Sequence, residues 1–392
     1  MSLRPISAYS RRDFVAASLL GGASLLAACS PRRAQRYFAW LFVASAAEKA
    51  LIVSDLANFH RAATIPTGGS PDQVLNAGGK VYAICSDTQT VVQIDPVQRT
   101  VTARIAVGSR IAGAALTERG DYLAVALIQP AALVLIDTVT AKIVRRTPLP
   151  AAPHALAAAE AQVAIVLDGQ NTLARVAVPT GELLGVSAVN AGPVAALSYR
   201  RDAETVFLAA PESRQIVSLD AKSGAVLARL PVPIRPARFC VDGTGGQVFV
   251  TGADGEAQLV IFSPYQNQID QTMYAGRAPW GMAVAPSRNL LFLSNPDAGD
   301  VAIMDIETRR IIASIRTGGR PREILIAADA KPADEEYAFV VDGDTGDVSV
   351  IHIPIVMHRH GDALIAEAPK PVFAVFHAGA EPQSAVIVPY PA

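Results

Sequence analysis

The chain has 392 residues, of which 51% are hydrophobic and 18% charged; that balance supplies a large core and excludes a disordered chain. A formal charge of −1, with no basic stripe interleaved with aromatics, argues against nucleic acid as a partner. The apolar excess is not spent on a membrane span, because no uncharged apolar run reaches the ~20 residues a spanning helix needs.

The first element is Phe14 to Cys29, an apolar run behind a charged head and ending in small residues, which is the layout of an export signal. Its head, Ser10-Arg11-Arg12-Asp13-Phe14-Val15, resembles the twin-arginine consensus. Its tail, Leu26-Ala27-Ala28-Cys29, resembles a lipobox, in which Cys29 is acylated and becomes the first mature residue. The resemblance implies a signal over residues 1–28 and a lipidated Cys29 with a short basic tether over 29–36. Residue 30 is Ser rather than Asp, so the expected destination is the outer membrane, facing the periplasm.

From residue 37 onward the chain repeats itself. Eight β-rich segments end at Asp55, Asp95, Asp137, Ala177, Asp220, Ser263, Asp305 and His352, in steps of 40, 42, 40, 43, 43, 42 and 47 residues. Each is preceded by another short apolar run and followed by a turn, a third run and a small-residue run. The last is introduced in half the copies by Gly-x-x-Pro, as at Gly68–Pro71, Gly276–Pro279, Gly318–Pro321 and Gly379–Pro382. Four strands per period with regular turn signals predict propeller blades. Near-continuous apolar runs such as Leu133 to Ile136 fit strands covered on both faces. Asp at the end of a run can bond the backbone two residues on, and Asp168-Gly169, Asp254-Gly255 and Asp342-Gly343 predict positive φ at the reversals. The chain starts on a second-type strand and ends on a small-residue strand, Ser384 to Val388, so the last strand can complete the first blade. The fold expected is all-β, a closed propeller of four-stranded antiparallel blades over 37–392; eight units are counted, with seven as the alternative.

The runs Thr90 to Gly108 and Asp300 to Gly318 resemble the YVTN-type β-propeller repeat of the lactonase-like superfamily. Copies four and six depart by lacking the Asp, and the last copy carries an insertion at about 354–371. The resemblance is specific for fold. Through related propellers it implies either a lactone hydrolase or a non-catalytic partner of a periplasmic dehydrogenase as alternatives to a binding or scaffold protein.

In a propeller the small-residue strand lines the central channel, and the residue at its head faces the mouth. Those positions read Asp72, Ala112, His154, Val194, Ala237, Trp280, Arg322 and Gln383. Asp72, His154, Trp280, Arg322 and Gln383 are therefore the candidate ligand-binding residues, with Arg322 as an anion clamp and Trp280 as a stacking face for a small anionic or sugar-like ligand. A wet channel mouth also tolerates such residues without any ligand. His358 and His360 in the insertion form a weak His-x-His metal candidate, for which a solvated loop is the simpler account. No haem-attachment motif, nucleophile elbow or phosphate loop is present, so no cofactor and no catalytic residue is assigned. Cys85 and Cys240 are too few for a disulfide-stapled fold, and are expected to stay free. The expected protein is an exported, lipid-anchored monomeric propeller acting as a ligand-binding or interaction scaffold.

Overall fold

The computed structural model describes residues 37–168, 171–253, 255–328, 336–353, 357–360, 363–366 and 372–390. Arg11, Arg12, Cys29 and the tether lie outside them, as do Gly169, Asp254 and much of the insertion. From Tyr37 on, the described residues form eight four-stranded antiparallel sheets and one two-stranded hairpin, the sheets arranged as an eight-bladed β-propeller with almost no helix. Blades 2 to 7 each use four consecutive strands. Blade 8 has the hairpin Met357–His360 with Ala363–Ala366 spliced between its third strand, Asp347–His352, and its outer strand, Val372–His377. The described residues of the insertion, which include His358 and His360, form this hairpin.

Blade 1 closes the ring. Its innermost strand is the last in the chain, Pro382–Pro389, paired antiparallel with the first, Ala39–Ser45. Each blade-to-blade interface holds its own hydrophobic cluster, and there are eight of them, which decides for eight blades over seven. At the seam between blades 8 and 1, Tyr37 packs against Tyr337 and Phe339 with ring centroids 5.6 and 6.1 Å apart.

The burial pattern refines the expectation of continuous apolar strands. The second and third strands of a blade are buried along nearly their whole length, as in Ala50–Asp55. Outer strands such as Thr100–Ala106 alternate, because blades diverge toward the rim and neighbours no longer cover both faces. The Asp expectation holds: Asp55, Asp95, Asp137, Asp220 and Asp305 each accept a backbone N–H two or three residues on, at 2.6 to 2.9 Å. The Asp-Gly expectation holds only in part. Gly255 has φ +85°, but Gly343 does not lie at positive φ; its missing side chain instead makes room for Arg322, whose Cδ would sit 2.5 Å from a Cβ there.

One device ties blades together at the rim. Arg104, Arg146 and Arg229 each stand nine residues after an Asp that starts a turn, and each guanidinium reaches backbone carbonyls that end the outer strand region of the preceding blade. The acceptors are Thr67 and Pro66 for Arg104, Val107 at 2.6 Å for Arg146, and Val189 for Arg229. A charge-assisted bond to a half-covered carbonyl contributes about 1–2 kcal/mol. Arg146→Ala should lower the unfolding free energy by that amount in a denaturant titration, with the denaturant slope unchanged.

Candidate functional site

The mouth is built by a recurring irregularity. In blades 1, 3, 4, 6 and 8 the pairing of the innermost strand shifts by one residue at its head, leaving Gln383, Ala112, His154, Ala237 and Arg322 as the extra residue. Such a bulge interrupts the strict in–out alternation of a strand and re-aims side chains. In blade 8 the extra residue, Arg322, and its neighbour, Glu323, both border one cavity.

That cavity, about 640 Å³, lies on the side of the channel formed by blades 5 to 8 and blade 1. Trp280, Arg322 and Gln383 border it, together with Arg238 and Glu323. The guanidinium carbon of Arg238 lies 3.2 Å from the centroid of the Trp280 ring and that of Arg322 lies 5.1 Å away. Both distances fall within cation–π range.

The backbone around Trp280 is held tightly. Its N–H donates to the Ser294 carbonyl at 2.8 Å, and the Gly281 N–H donates to the Ser294 hydroxyl, which in turn donates to the Arg322 carbonyl at 2.7 Å. Only glycine fits at position 281, since a Cβ there would lie 2.0 Å from the Arg322 carbonyl oxygen. Blades 7 and 8 therefore approach closely enough to set the indole and the guanidinium side by side.

Glu323 is partly buried in the cavity wall, at the seam where the ring closes. It accepts the Ala385 N–H of the closing strand, yet burial outweighs that bond and pushes its carboxyl from the ordinary 4.5 to about 7. Two guanidinium groups and one reluctant carboxylate leave the cavity net positive at neutral pH.

The remaining ring positions go elsewhere. Asp72 accepts the Ser86 N–H at 2.8 Å and borders a separate cavity of about 540 Å³ with Arg110 and Gln383. His154 lies 3.6 Å from Asp168 and lines a third space of about 300 Å³ with Asn171 and Thr172. Val194 is buried in that third wall, and Ala112 borders the second cavity. Arg238 and Glu323 were not among the sequence candidates; each lies two residues after the proline that heads its strand and borders the cavity.

Cys85 and Cys240 are free, and burial pushes their thiols up to about 11 and about 12, so neither is a ready nucleophile. Among the described residues no group of three or more His, Cys, Asp or Glu could hold a metal ion. The hairpin places His358 and His360 on one strand, Met357–His360.

Neither a family model nor a curated protein matches the chain. Solved structures do. A dihydro-heme d1 dehydrogenase, NirN, in complex with DHE is similar with a TM-score of 0.68 at 13% identity, covering 88% of this chain and 74% of that one. Apo AztD from Citrobacter koseri is similar with a TM-score of 0.67 at 14% identity, covering 90% and 98%. Hydrazine synthase from Kuenenia stuttgartiensis follows with a TM-score of 0.55 at 14% identity, covering 72% and 95%. At such identities the likeness is one of fold, and it agrees with the propeller described above.

Proposed function

We propose that this protein is an exported, lipid-anchored propeller of the YVTN type that captures a small organic anion with a flat, unsaturated face at its channel mouth. The observation that carries the reading is the pair of guanidinium groups at Trp280 inside a cavity of ligand size. Guanidinium supplies a fork for carboxylate or phosphate oxygens, and the half-buried indole supplies a stacking face. The propeller neighbour in complex with DHE supports the reading, since it is a protein of this fold that holds a small molecule.

The test is a thermal-shift screen of carboxylates, phosphates and sulfonates on aromatic and aliphatic frames. Arg322→Ala and Trp280→Ala should each weaken the best hit by roughly 1 to 3 kcal/mol while the unliganded proteins melt as wild type does. A stabilising ligand that persists undiminished in both variants would place binding at another site.

Hydrolysis of a lactone at the same mouth is a second reading, favoured by one observation. A carboxyl whose pKa is about 7 is suited to general acid–base work on a water, and Arg238 and Arg322 line the same cavity, where a guanidinium could stabilise an oxyanion. Lactone turnover that disappears in Glu323→Gln would support it over simple binding.

A further inference from the structure

The strand that closes the ring separates two chemistries. Gln383, at its head, borders the mouth cavity; Pro389, at its other end, pairs with Ala39. The chain therefore emerges at Tyr37 on the face opposite the mouth. At that point Phe38 is 59% exposed, with its ring 6.0 Å from Tyr390, whose ring lies 4.5 Å from that of Trp40. Arg99 of blade 2 stacks over Trp40 at 4.9 Å, and the Tyr390 hydroxyl donates to Asp55 at 2.6 Å. The patch continues through the turns of the next two blades, where Val97 is 53% and Val139 84% exposed. These turns lie at the same ends of their blades: Arg99 joins blade 2 to Trp40 of blade 1, and the Tyr82 hydroxyl of blade 2 donates to the Thr138 carbonyl beside Val139.

We propose that this aromatic face rests in the headgroup region of a phospholipid bilayer, which points the Trp280–Arg322 mouth away from the membrane. The proposal rests on the lipid anchor at Cys29 and extends it. Seven residues lie between Cys29 and Tyr37, so eight chain steps give a reach of about 28 Å at most. An acyl chain at Cys29 therefore keeps the face that carries Tyr37 within that distance of the bilayer. Trp and Tyr rings backed by an Arg suit the boundary between headgroups and acyl chains, where one side of the side chain is apolar and the other wet. No described helix is long and apolar enough to cross a membrane.

The chain has two tryptophans, one on each face, and this supplies the test. Full-length protein carrying Trp280→Phe reports on Trp40 alone; Trp40→Phe reports on Trp280 alone. Both are reconstituted into phosphatidylcholine–phosphatidylglycerol vesicles with and without bromine near the top of the acyl chains. Trp40 emission is expected to fall at least twofold in brominated vesicles while Trp280 emission stays unchanged, and Phe38→Ser with Tyr390→Ser should reduce the Trp40 effect. Mass spectrometry of the same samples reads acylation at Cys29. Acylated protein in which Trp40 is not quenched, or in which both tryptophans are quenched alike, overturns the proposal and leaves the anchor standing. Unacylated protein that floats with vesicles and shows the Trp40 effect supports the face and removes the anchor.

Discussion

Deleting Gln383 to Ala392 is expected to abolish the single cooperative unfolding transition and to lower the melting temperature by more than about 10 °C. The deletion removes nearly the whole innermost strand of blade 1, which pairs with Ala39–Ser45 over seven residue positions. It also uncovers the seam cluster of Tyr37, Leu41, Tyr337 and Phe339 and removes the N–H that Glu323 accepts from Ala385. A repeat array that is not closed leaves two outer blade faces in water, and a loss of that size exceeds the marginal stability of a typical domain. Circular dichroism melts with limited proteolysis provide the measurement. A truncated chain that melts at the wild-type midpoint, with wild-type steepness, would show that the ring does not depend on its closing strand.

Replacing Glu323 by Gln should produce the next largest effect, and one that depends on pH. A carboxyl raised from 4.5 to about 7 in the folded state favours folding only while protonated. Its contribution is fully present below about pH 4.5 and is lost as pH rises through 7. Wild type should therefore lose stability relative to Glu323→Gln across that window. The gap should be near zero at pH 4.5 and on the order of 3 kcal/mol at pH 8, since each tenfold change in proton affinity corresponds to about 1.4 kcal/mol. Gln keeps an oxygen for the Ala385 N–H, so the comparison isolates the charge. Denaturant titrations at four pH values give the answer; parallel curves would mean that the channel hydrates Glu323 like a surface carboxylate. Anion binding follows the same sign, stronger at pH 6 than at pH 8 in wild type and flat in the variant.

The ring was legible because blade chemistry is local. The Asp residues at 55, 95, 137, 220 and 305 repeat because each starts a turn within its own hairpin, and the apolar runs between them need no distant partner to be read. Eight blades followed from the same count, and the terminal strand closed the ring as its small residues implied. The site was legible only in part, because it is assembled across blades. Nothing local distinguishes Trp280, which meets Arg238 and Arg322, from His154, which faces Asp168 in another wall. Arg238 and Glu323 escaped because taking one residue per strand, the one after the proline, leaves out neighbours on the same strand that border the cavity, as Ala196, Leu197 and Ser198 of blade 5 also do.

The bulges separate what holds the propeller together from what its mouth recognises. Beyond the extra residue, the innermost strand resumes its ladder with the second strand, as at Glu323 opposite Val341 and Arg238 opposite Thr251. The extra residue itself makes no rung. Substitutions at 112, 154, 237, 322 and 383 can therefore change the chemistry offered to solvent without altering the register of any blade. For engineering this marks out a small alphabet: a library randomised at those five positions would sample recognition while drawing little on the reserve that keeps the ring folded. The same scaffold could then be retargeted from one ligand to another by side-chain choice alone.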